Sequence, residues 1–106
     1  MKKSSPAIVA LGISFFFLYH AREGVSPQTV QGTVVSAASQ EPLKNAFVHV
    51  IEGEEEALTD ARGNFKLETF QPFPLTVTVQ REHYRKKKIR VAAPGQKLII
   101  AIQPDN

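Results

Sequence analysis

The 106-residue chain contains no cysteine and no tryptophan. Without cysteine there can be no disulfide, no cysteine-ligated zinc, no iron–sulfur cluster, no thiol nucleophile and no lipid-modified cysteine. Long apolar runs are also scarce. The longest uncharged apolar stretch is the thirteen residues Ala7–Tyr19, AIVALGISFFFLY. A spanning helix needs about 20 apolar residues, so a many-span membrane protein is excluded. Hydrophobic residues make up 42% and charged residues 22%, an ordinary globular composition that excludes a disordered tail or a collagen-like repeat.

Lys2 and Lys3 precede the apolar stretch. A short basic start followed by an apolar segment of this length is the pattern of an export signal. Residues 1–21 therefore read as a signal peptide cleaved after Ala21, or as an uncleaved N-terminal anchor helix holding the chain to a membrane through residues 7–19. In both cases the remainder is expected outside the cytoplasm. Without Lys2 and Lys3, eleven basic residues face ten acids, a net charge of +1. The basic balance is thus partly the leader's and gives no support for a nucleic-acid partner.

Residues 22–28 are polar, with Gly24 and Pro27, and suit a linker. From residue 29 to 103 the apolar positions follow a period of two, the signature of half-buried strands. Seven short strands are predicted, at 29–36, 46–52, 54–59, 64–69, 75–80, 87–92 and 97–103. Phe65 and Leu67 oppose Lys66 and Glu68; Leu75, Val77 and Val79 oppose Thr76 and Thr78; Ile89 and Val91 oppose Lys88 and Arg90. Many short strands with no helical window predict a sandwich. The last strand is apolar on both faces from Leu98 to Ile102 and is expected to be central or covered, since an exposed strand of this kind templates aggregation.

Four groups of residues combine in order. Val30-x-Gly32-x-Val34 opens the domain, followed by Pro42-Leu43-x-x-Ala46-x-Val48-x-Val50. Thr59-Asp60-x-x-Gly63-x-Phe65-x-Leu67 comes next, and Leu75-x-Val77-x-Val79 precedes a turn at Tyr84. Over residues 29–102 this resembles the carboxypeptidase regulatory-like domain, a transthyretin-like β-sandwich. The resemblance implies an all-β, seven-stranded antiparallel Greek-key sandwich. It also implies a non-catalytic accessory of exported bacterial proteins, without a cofactor. One position departs: the family commonly has Gly-Tyr at the turn, where this chain has His83-Tyr84.

The matched positions have physical readings of their own. Gly32 inside a strand marks a bulge or a close backbone approach. Asp60 can accept backbone N–H bonds across a turn and Gly63 can take positive φ at its end, so both are read as structural turn residues. The string from Asp60 to Asn64 lacks the later acidic ligand of a calcium loop. Only His49 and His83 lie beyond the leader, too few for a zinc site. Some transthyretin-like proteins hydrolyse 5-hydroxyisourate with paired histidines and a C-terminal Tyr-Arg-Gly-Ser. This chain ends Gln103-Pro104-Asp105-Asn106 and lacks that motif. No enzyme is expected.

The most uneven feature is electrostatic. Arg81, Arg85, Lys86, Lys87, Lys88 and Arg90 lie within ten residues, against Glu82 alone, while Glu52, Glu54, Glu55 and Glu56 surround Gly53. The basic run is either a solubilising hairpin that blunts edge pairing or a surface for anionic envelope components such as lipid headgroups and lipopolysaccharide. Head-to-tail association of acidic and basic ends is a third arrangement. The expected function is an exported interaction or structural module, periplasmic, cell-surface or secreted. Its expected partner is an envelope protein or an anionic envelope surface.

Overall fold

In the computed structural model, residues 26–105 are described; the leader reading falls on residues outside this range. The described chain forms seven strands: β1 Gln28–Ser36, β2 Phe47–Ile51, β3 Glu55–Leu58, β4 Asn64–Thr69, β5 Leu75–Gln80, β6 Lys87–Val91 and β7 Lys97–Ile102. They make two sheets, a three-stranded one in the order β4-β1-β7 and a four-stranded one in the order β3-β2-β5-β6. This is the all-β sandwich that the alternation of side chains predicts.

Period two becomes burial directly. In β4, Phe65, Leu67 and Thr69 are buried and Asn64, Lys66 and Glu68 are exposed. The core joins Val30, Val34, Phe65, Leu67, Ile100 and Ile102 of the first sheet to Val48, Leu75, Val77, Val79 and Val91 of the second. Burial of these apolar faces is the main force holding the layers together.

β7 departs from the antiparallel pattern. It lies parallel to β1, with Gly32 in register with Leu98 and Ser36 with Ile102. The other five strands lie between β1 and β7 in the chain, so no tight hairpin fixes their relative direction. β7 also stands at the sheet's edge, not at its centre or under cover, and this corrects the expectation for it. Its inner residues Ile100 and Ile102 are buried, but Ile99 on the outer face is 71% exposed. Apolar residues on both faces do not guarantee two covered faces.

Both seams between the sheets are hydrogen-bonded. On the β3/β4 side, the Glu55 carboxylate accepts from Thr69 Oγ1 at 2.6 Å and from the Phe70 N–H at 2.9 Å. On the β6/β7 side, Lys87 Nζ donates to the Ala101 carbonyl at 2.9 Å. There too the Arg85 N–H donates to the Gln103 carbonyl and the Asp105 N–H to the His83 carbonyl, both at 2.8 Å.

Candidate functional site

The strand alternation splits the basic run. Arg81, Arg85 and Lys86 belong to the β5–β6 turn, whereas Lys87, Lys88 and Arg90 belong to β6. Lys88 and Arg90 are in register with Thr78 and Thr76, on the outer face of the four-stranded sheet. Lys87 is in register with Val79, on the inner face at the periphery, and reaches across to β7. Arg81 Nε donates to the Lys44 carbonyl at 2.7 Å, and its guanidinium lies 5.5 Å from the Tyr84 ring centroid, within cation–π range. Arg81 and Lys87 therefore hold the fold, while the side chains of Arg85, Lys86, Lys88 and Arg90 are exposed. Asn45, Phe47, Gln80, Arg81, Glu82, Tyr84 and Lys86 line an open hollow beside the turn.

The fold adds a cation that the linear run omits. Lys97 begins β7, and β6 and β7 lie on the same side of the sandwich, joined by the contacts of Lys87 and Arg85. From His83 to Pro104 the chain carries Arg85, Lys86, Lys87, Lys88, Arg90 and Lys97 and no carboxylate. The acids Glu54, Glu55 and Glu56 lie at and beside β3, at the opposite edge of the four-stranded sheet. β6 and β7 thus carry cations alone, with Glu82 and Asp105 at the turn end, and the acidic cluster lies at the far edge of the four-stranded sheet.

The β5–β6 turn shows why glycine is common at the position of His83. Its φ is +72°, a left-handed conformation that costs a β-carbon about 1–2 kcal/mol. His83 Nε2 sits 3.8 Å from Glu82 Oε2, with both side chains largely exposed, and such a pair contributes little. His49 lies in mid-β2, opposite Glu56 and Thr78. Its ring centroid is 4.9 Å from that of Phe47, and both ring nitrogens are enclosed without a hydrogen-bond partner among the described residues. The histidines do not converge. Among the described residues no three His, Asp or Glu side chains come together in a metal-binding group.

The other half of the turn machinery is at the β3–β4 connection. Asp60 Oδ1 accepts from the N–H groups of Arg62 and Asn64, both at 2.9 Å. Gly63 has φ +77°, and its carbonyl accepts from the Val34 N–H at 2.8 Å. Buried Thr59, whose role the sequence pattern does not reveal, accepts at Oγ1 from the Ala46 N–H at 2.8 Å and donates to the Leu43 carbonyl. The Asp60–Asn64 segment shapes backbone, with its carboxylate oxygen already engaged.

A two-sheet sandwich closed by this turn defines a family. The family model of the CarboxypepD_reg-like domain matches residues 30–106, and the chain belongs to that family. A curated relative, the TonB-dependent transporter Oar of Myxococcus xanthus, is 26% identical over 87 residues, covering 78% of this chain. The match spans 8% of that protein's length. Among solved structures, a chain of a type II cohesin–X-dockerin complex from Acetivibrio cellulolyticus superimposes with a TM-score of 0.52 at 18% identity. That alignment covers 73% of this chain and 58% of the other, and it reports a shared fold.

Proposed function

We propose that this chain is an exported, non-catalytic β-sandwich module that serves protein interaction or structural support in a bacterial envelope. The observation that carries the reading is the uneven charge on a sandwich of this family: from Arg85 to Lys97 the β6/β7 side carries six cations, against Glu82 and Asp105 at its turn end, while Glu54, Glu55 and Glu56 cluster at the β3 edge. Membership of a regulatory-like domain family and the relationship to a segment of a TonB-dependent transporter support an envelope setting. Residues 1–21 supply the export signal or anchor, and mass measurement of the recovered N-terminus distinguishes the two.

A second reading, binding of anionic envelope components, is favoured by the exposed side chains of Arg85, Lys86, Lys88 and Arg90. Each such cation near an anionic surface contributes about 1 kcal/mol, weakened by salt. The test uses Arg85→Glu, Lys86→Glu and Lys88→Glu together, leaving Lys87 and its bond to Ala101 intact. The interaction reading expects saturable capture of one envelope protein and equal, weak retention on phosphatidylglycerol and phosphatidylcholine vesicles. Salt-sensitive retention on phosphatidylglycerol vesicles alone, lost in the triple variant, would replace it with the second reading.

A further inference from the structure

The direction of each backbone group along β7 follows from its hydrogen bonds. The Ile102 carbonyl accepts from the Ala37 N–H, on the β1 side. The carbonyls of Ala101 and Gln103 point the other way, where they accept from Lys87 Nζ and the Arg85 N–H. N–H and C=O groups alternate sides along a strand, so Leu98, Ile100 and Ile102 serve the ladder to β1. Lys97 and Ile99 direct their N–H and C=O groups away from it. The 83–87 segment covers the upper half of this edge, with Tyr84 bridged to Pro104. Nothing among the described residues pairs with the lower half, Lys97–Ile99.

Of the three other edge strands, β3 and β6 are guarded in ways that natural sheets use, and β4 places charged Lys66 and Glu68 on its exposed face. β3 has only four residues and is tied by Glu55 to the end of β4. β6 carries Lys87, Lys88 and Arg90. At β7, Ile99 is the most exposed large hydrophobic among the described residues, ahead of Leu58 and Phe70.

We propose that the Lys97–Ile99 edge of β7 is a strand-addition site that takes an extended, acidic segment of a partner protein. The proposal rests on the interaction reading above and deepens it. Unpaired main-chain groups supply the docking template, as in other strand-addition complexes. Ile99 offers an apolar contact to a residue directly opposite. Charge chooses the partner's chemistry. Lys97 begins the open stretch, Lys87 ends it, and the whole of β6 and β7 is free of carboxylates. A second copy adding its own β7 would bring two such cationic sides together. A second copy adding its acidic β3 would make a contact that does not close and would grow fibres.

The test is nuclear magnetic resonance titration of the isotope-labelled chain, in the form recovered from the envelope. The probe is the peptide acetyl-Glu-Val-Glu-Val-Glu-Val-Glu-amide, and the control has lysine in place of glutamate. The glutamate peptide should shift the Lys97 and Ile99 amides, slow their exchange at least tenfold at saturation, and bind at least tenfold more tightly than the lysine peptide. Ile99→Pro deletes an outward N–H and no ladder bond, so it should weaken binding at least tenfold. Ile99→Asp keeps the N–H but repels an acidic strand, and its exposed position spares the core; it should weaken binding likewise even if the proline variant folds poorly. Equal binding of the two peptides, undiminished binding by Ile99→Asp, or a doubled mass in ultracentrifugation that vanishes in that variant would each overturn the proposal. Capture of the same envelope protein by the parent and by Ile99→Asp would overturn the edge site while leaving the interaction module standing. No saturable capture by the parent would count against both.

Discussion

Adding one methyl group at Gly32 should loosen the sandwich at a defined place. Gly32 faces Leu98 across the parallel β1–β7 pair. A β-carbon on Gly32 would lie 2.8 Å from Leu98 Cβ and closer still to the Leu98 carbonyl oxygen. Carbon atoms in contact prefer about 3.5–4.0 Å, so β7 would have to retreat by roughly 1 Å at that point. Overpacking of this kind costs about 1–3 kcal/mol. The smaller conformational freedom of alanine in the unfolded chain returns about 0.4–1 kcal/mol. The net expected loss for Gly32→Ala is about 1–2 kcal/mol, which in a domain of this size lowers the melting temperature by roughly 5–15 °C. Urea unfolding followed by circular dichroism measures the loss. Amide exchange locates it, and acceleration should be greater at Leu98 and Ile100 than at Val77 and Val79 in the other sheet. A variant as stable as the parent within about 0.5 kcal/mol, below the effect expected of a core change, would refute the close β1–β7 approach.

Thr59→Val replaces a buried hydroxyl by a methyl of similar shape and leaves the Ala46 N–H and Leu43 carbonyl unpaired. It should cost about 2–4 kcal/mol, a large share of the roughly 5 kcal/mol expected for the domain, while Thr59→Ser should retain most of it; urea midpoints check both. His83→Gly removes a β-carbon from a residue at φ +72° whose side chain is largely exposed. It should stabilise the domain by about 0.5–1 kcal/mol, and an unchanged or lower thermal midpoint would count against strain at that turn.

Alternation made most of the architecture readable. The predicted spans 64–69 and 75–80 coincide with β4 and β5, and the others differ by a residue or so at their ends. The period-two pattern that separates Phe65 and Leu67 from Lys66 and Glu68 is local, so it survives without knowledge of neighbours. The neighbours themselves are not local. Whether β7 lies beside β1, in which direction, and with which edge free depends on residues 66 positions apart, such as Gly32 and Leu98. The strand at 97–103 therefore read as central or covered, although Ile99 within it faces solvent.

The candidate site was legible in composition and less so in geometry. The run Arg81–Arg90 is visible as six cations, but alternation along β6 turns Lys87 inward and Lys88 and Arg90 outward. The period-two assignment of residues 87–92 already carried that signal. Lys97 joins the cationic side only through the fold. The departure from Gly-Tyr at His83-Tyr84 flagged the turn where the backbone is left-handed. Thr59 stood in the matched motif but without a role, because its worth lies in two backbone groups contributed by Leu43 and Ala46 across a loop.

Residue-resolved amide exchange along β7 of the free protein distinguishes an open edge from a closed one. Leu98, Ile100 and Ile102, whose amides bond β1, should be strongly protected, and Lys97 and Ile99, whose amides face outward, should exchange rapidly. Equal protection at Ile99 and Ile100 in the monomer would mean that the edge is already occupied and that no strand can add there.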